Sequence, residues 1–176
     1  MRTIIKNAVI VNEGKQQQAS LMIEDNLIAD IIPAQQQQPE AADANIIDAS
    51  GCYVLPGIID DHVHFREPGL TDKADMESES RAAAAGGVTT CFDMPNTMPQ
   101  TTTIEALHEK QAIAASKCHI NHAFFFGATN SNAHLFEQID PRTVPGIKLF
   151  MGSSTGNMLV DNNEQLMHIF SNTTMP

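Results

Sequence analysis

Gly57-Ile58-Ile59-Asp60-Asp61-His62-Val63-His64 is the stretch on which the reading of this fold turns. It follows Pro56, opens on an apolar pair and closes on two imidazoles spaced i and i+2. Pro-Gly punctuates the chain, and the β-branched run after it predicts a buried strand. Downstream, strand-like and helix-like stretches alternate. Asp75 to Ala85 is alanine-rich and predicts a helix stopped by Gly86-Gly87. Val88 to Met94 predicts a second strand closed by Pro95, and Ile104 to Ser116 has helical apolar spacing. His119 to Ala128 predicts a third strand, Asn132 to Ile139 a short helix, Gly146 to Met151 a fourth strand and Asn163 to Phe170 a fourth helix. Strand starts near residues 57, 88, 119 and 146 recur at close to the length of one βα unit. Repeated βα units imply an α/β fold with a parallel sheet, doubly wound or closed into an eightfold barrel. Four units amount to half of such a barrel, whose outer strands would have unpaired edges. The expectation is a portion of a longer chain, or a chain that needs a complementing partner.

Working outward, the segment before Leu55 has another character. Thr3 to Val11 is rich in β-branched residues, and Leu21 to Glu24 and Leu27 to Ile32 flank Asp25-Asn26, a pair suited to a hairpin turn. Glutamine tracts at Gln16 to Gln18 and Gln35 to Gln38 read as solvated connections. Residues 1–55 therefore predict a small β-sheet module and residues 56–176 the first four βα units. A hydrophobic fraction of 42% in 176 residues supports a packed core. The net charge of −11 argues against nucleic acid or an anionic membrane as partner, and no apolar run is long enough to span a bilayer. Residues 1–10 lack the apolar block of a signal peptide, and three scattered cysteines fit a reducing compartment, so a cytoplasmic enzyme is expected.

His62 and His64 share one face of the first strand, where both can reach one Zn²⁺. A bare His-x-His also occurs as two hydrogen-bonded core side chains. Asp60 nearby is a candidate to orient a ligating imidazole. Arg66 reads either as a bidentate clamp on a carboxylate or as a surface ion pair. Asn96, in Asp93-Met94-Pro95-Asn96-Thr97, follows the second strand and also suits a turn. Lys148 lies in an otherwise apolar strand, which is costly unless the amine is paired, modified or snorkelled outward. His119 and His122, three apart on a strand, do not share a face, and His108, His134 and His168 fall on predicted helices. Ser153-Ser154-Thr155-Gly156 lacks the spacing of a phosphate cradle and reads as a loop.

The run from Pro56 to Gly69, with 93–97 and 146–156, resembles the dihydroorotase branch of the amidohydrolase superfamily. The resemblance implies the N-terminal half of a (β/α)8 barrel preceded by a small composite β-sheet module. It implies two zinc ions held by His62, His64 and a carboxylated Lys148, with Arg66 and Asn96 binding a substrate carboxylate. The implied reaction is reversible cyclisation of N-carbamoyl-L-aspartate to dihydroorotate in pyrimidine biosynthesis, by a homo-oligomer acting on a small-molecule substrate. Two further histidine ligands and an acidic general acid/base, which the family carries after later strands, are expected beyond residue 176. A hydantoinase, dihydropyrimidinase or allantoinase is the alternative ring chemistry, and a non-catalytic scaffold the alternative class.

Overall fold

The structure is a computed structural model that describes residues 1–37, 39, 43–154 and 156–176. Two compact units make up the chain, Met1–Pro56 and Gly57–Pro176. In the first, β1 (Arg2–Asn12), β2 (Lys15–Glu24), β3 (Leu27–Pro33), β4 (Ala44–Asp48) and β5 (Tyr53–Val54) form one sheet. Its order is β3-β2-β1-β4, antiparallel across the hairpins, with β4 and β5 both parallel to β1. Ala8, Ile10, Ala19 and Leu21 pack beside Ala49 as its core. Asp25 takes φ 55° in the β2–β3 turn, the left-handed conformation an Asp tolerates best among ordinary residues.

The second unit holds the βα series. Its strands are β6 (Ile58–Val63), β7 (Val88–Asp93), β8 (Asn121–Phe124), β9 (Phe126–Gly127) and β10 (Ile147–Lys148). Its helices are α1 (Met76–Ala85), α2 (Ile104–Lys117), a 3-10 helix over Ala133–Gln138 and α3 (Asn163–Asn172). All strand pairs are parallel: β6 with β7, β7 with β8, β9 with β10. β8 and β9 are one extended run that changes partner at Phe125. The Phe125 N–H donates to Asp93 O on β7, and the next N–H, of Phe126, donates to Gly146 O ahead of β10. The strands therefore follow one another in chain order, which is the order βα units produce. Phe124, Phe126, Met76, Leu107, Ala114, Phe136, Val160 and Ile169 are buried together between sheet and helices.

Several expectations need correction. Gly57–His64 was expected to be a buried strand, yet Ile58 and Ile59 are 55% and 61% exposed. Among the described residues β6 has a hydrogen-bonded strand on one side only, so it sits at the edge of its sheet rather than inside it. Gln16, Gln17 and Gln18 are not a connection: they pair with Val11, Ile10 and Val9 inside β2, with exposed side chains. Part of the second tract, Gln38, lies outside the described residues. The third helix is a single 3-10 segment, and the third strand is split at Phe125.

Candidate functional site

The C-terminal ends of β6 and β7 carry the chemistry. β6 stops at Val63, and the chain then runs through His64, Phe65, Arg66 and Glu67 before α1. Each of these four residues is fixed by a different contact. His64 Nδ1 lies 2.9 Å from Asn96 Oδ1; because the amide oxygen only accepts, the imidazole carries its proton on Nδ1 and presents Nε2 outward. The Phe65 N–H donates to Asp93 Oδ1 at 2.9 Å. Arg66 holds φ 68°, a left-handed conformation uncommon outside glycine, and its carbonyl accepts from the Leu70 N–H. Glu67 is 6% exposed; its Oε2 accepts the Met76 N–H at the start of α1 and its Oε1 pairs with Lys117 at the end of α2.

His62 and His64 stand with ring centroids 5.4 Å apart. With Zn–N bonds of about 2.0–2.1 Å, that separation allows one nitrogen of each ring to reach a common ion. Burial is the largest influence on His64 and lowers its pKa, which favours the neutral, ligating imidazole. Zinc therefore fits this pair: nitrogen donors, one tautomer fixed by a neighbour, at the end of a strand. Among the described residues no three of His, Cys, Asp and Glu gather as a metal cluster, so the imidazole pair is a nucleus that needs another donor. Asp60 does not orient an imidazole; its Oδ1 accepts the His62 backbone N–H at 3.1 Å.

Arg66 and Asn96 line one cavity of about 590 Å³, together with Leu70, Lys73, Gln100 and Asn157. Among the described residues, neither Arg66 nor Lys73 has a carboxylate partner within ion-pair distance. A cavity with two unneutralised cations in a chain of charge −11 is suited to an anionic ligand. Asn96 has two duties here: its oxygen holds His64, and its NH₂ is available to the cavity.

Lys148 lies on the last strand of the series, β10. It is half-buried at the end of β10, paired through its backbone with Gly127, and its Nζ sits 5.2 Å from the Phe150 ring centre. Three strand spacings separate β10 from β6, about 14 Å on a flat sheet. Only a strongly curved sheet can point both side chains at one ion.

The remaining histidines are occupied elsewhere. His119 Nε2 accepts from Arg81 Nε, His122 Nδ1 faces Ile120 O, and His108, His134 and His168 are exposed on helices. Of the Ser153-Ser154-Thr155-Gly156 run, Thr155 lies outside the described residues.

One feature escaped the sequence reading. Lys110 is 0% exposed, its Nζ 2.6 Å from Asp93 Oδ2 and 2.8 Å from Met94 O, with the Phe124 ring centre 5.1 Å away. Its signal was present: Leu107, Lys110 and Ala114 occupy one stripe of α2, and a lysine on an apolar stripe needs a buried anion.

In sequence and fold the chain is similar to several known proteins. Residues 51–132 match the Dihydro-orotase-like family. A dihydroorotase of Streptococcus pyogenes serotype M3 is 45% identical over 120 residues, 66% of this chain and 28% of that protein. An allantoinase of Streptomyces avermitilis is 37% identical over 147 residues, 83% of this chain and 32% of that protein. The L-hydantoinase (dihydropyrimidinase) structure from Arthrobacter aurescens superposes with a TM-score of 0.85 at 29% identity, covering 96% of this chain and 37% of that one. The chain thus spans about a third of the length of the relatives it matches.

Proposed function

Because the chain belongs to the dihydroorotase and hydantoinase branch of the amidohydrolase superfamily, we propose that it supplies the metal-binding half of a zinc-dependent dihydroorotase barrel. The observation that carries this reading is Arg66 and Asn96 lining one cavity while Asn96 also holds His64. A carboxylate on the substrate ring is what such a cation-and-amide pair recognises, and it would be held one side chain away from the metal ligands.

His62 and His64 would ligate through the nitrogens their neighbours leave open, with Lys148 as the further donor. Addition of CO₂ to the Lys148 amine, with loss of a proton from nitrogen, would give an anionic carbamate able to act as an oxygen donor to metal. Zinc, when bound, supplies Lewis acidity toward the ring amide and lowers the pKa of water toward neutrality. Asn96 keeps His64 in the ligating tautomer, and Arg66 fixes the ring carboxylate so that the scissile amide keeps one orientation. In the reverse direction the same clamp would hold N-carbamoyl-L-aspartate for cyclisation.

A second reading keeps the chemistry and changes the ring, because relatives named allantoinase and hydantoinase match over more of this chain than the dihydroorotase does. The zinc-loaded complete barrel, assayed on dihydroorotate, hydantoin, dihydrouracil and allantoin, separates the two. The dihydroorotase reading expects dihydroorotate to be preferred and Arg66→Ala to raise its KM about 10- to 100-fold, the range for a lost charged hydrogen bond. Preference for a ring without a carboxylate, or indifference to Arg66→Ala, overturns it.

A further inference from the structure

The proposed chemistry does not use the buried ion pair Lys110–Asp93. Burying both charges is expensive, and apolar residues of similar volume would fill the same space at lower cost. The pair is also placed where its geometry matters. Asp93 is the last residue of β7, and its two oxygens are divided between two tasks. Oδ2 meets Lys110 Nζ, and Oδ1 accepts the N–H of Phe65, the residue between His64 and Arg66. Lys110 is itself fixed on three sides, by Asp93, by Met94 O and by the Phe124 ring. The next residue along, Arg66, has φ 68°, and such a conformation persists only where its surroundings hold it.

We infer that Lys110 is a positioning residue, which clamps the Asp93 carboxylate so that Asp93 sets the Phe65 peptide and, through it, the directions in which His64 and Arg66 leave the backbone. A helix that packs behind the sheet thereby fixes a metal ligand and a substrate-binding cation at once. The chain of contacts is short: Lys110 on α2, Asp93 on β7, and the Phe65 amide beyond β6. Burial lowers the Lys110 pKa while Asp93 opposes that shift, as expected of a cation kept in the interior by one anion. The inference rests on the proposed metal and carboxylate roles of His64 and Arg66.

The test compares native protein with Lys110→Met and with the neutral pair Asp93→Asn/Lys110→Met. Lys110→Met alone leaves a buried carboxylate without its cation and is expected to lower Tm. The neutral pair restores charge balance, so its Tm should return close to the native one. Zinc affinity, read by chelator competition, should nevertheless remain about 10-fold weaker, in line with other changes that disturb ligand orientation. In the complete barrel carrying these changes, dihydroorotate KM should rise by more than kcat falls, because Arg66 is misdirected. A neutral pair with native Tm, native zinc affinity and native KM overturns the inference and reduces the ion pair to packing. Hydrogen exchange on native protein covers the case in which neither variant folds. The Phe65 amide should then exchange as slowly as the Ala114 amide in the middle of α2, and fast exchange at Phe65 also overturns it. Should native protein bind no zinc, the metal reading fails by itself, and the Phe65 exchange rate still decides the positioning role.

Discussion

Asn96 shows how much one side chain can settle. Its oxygen accepts from His64 Nδ1, so removing it lets the imidazole take either tautomer and rotate. Asn96→Ala is expected to weaken zinc binding about 10- to 100-fold, measured by competition with a coloured chelator. A variant that binds zinc as tightly as native protein would take the orienting role away from Asn96. The cysteines give a check that is independent of metal. Cys52 is exposed, whereas burial pushes the Cys91 and Cys118 thiols up to about 11. The thiolate is the reactive form, so at pH 8 these two are almost entirely protonated as well as shielded. Brief treatment of native protein with iodoacetamide should add one carboxamidomethyl group, at Cys52, with all three modified only after unfolding. Mass spectrometry of the intact protein and its peptides reads this directly.

At the scale of elements, the helix ends were the most legible part of the sequence. Asp75 caps α1, its Oδ1 accepting the Ser78 N–H at 2.8 Å, and Glu67 takes the Met76 N–H. Gly87, at φ 85°, supplies the left-handed turn that ends the helix. Capping is local chemistry, and so it shows in a local sequence pattern. Asp75→Ala should cost about 1 kcal/mol, read as a shift in urea midpoint without change of slope. That His62, His64 and Arg66 lie close together was legible for the same reason, because all three fall within five residues. The split between β8 and β9 was not. His119 to Ala128 is continuous as a β-forming run, and the break at Phe125 arises because β10 replaces β7 as the hydrogen-bonding neighbour. That change of partner involves residues 20 or more positions away. Lys110 was missed on similar grounds: its anion is 17 residues back, on another element. Losing either member of such a pair strands a buried charge, about 3–5 kcal/mol, which makes Lys110→Met the most destabilising single change expected in α2. Chemical denaturation against an exposed α2 control, Glu109→Gln, tests that ranking.

The exposed edge of β6 is the property that governs how the chain behaves as a molecule. Ile58 and Ile59 stand more than half exposed on a strand that, among the described residues, pairs with another strand on one side only. Open strand edges can pair with other chains, and proteins normally blunt them with charge, which here Asp60 and Asp61 supply in part. Opposing that tendency is the net charge of −11, which keeps copies apart at low ionic strength. The two effects differ in range. Charge repulsion is screened over about 8 Å at 0.15 M salt, whereas strand pairing acts at contact and is indifferent to salt. The 176-residue chain should therefore be monomeric in dilute buffer and associate as salt is raised, seen as a concentration-dependent rise in sedimentation coefficient. Ile59→Lys places a charge on the edge itself, so it should suppress association at every salt concentration while leaving the far-ultraviolet dichroism unchanged. If Ile59→Lys and native chain associate equally, β6 is not the surface through which copies meet. If neither associates at high salt, the Asp60 and Asp61 carboxylates and the strand's twist suffice to protect the edge.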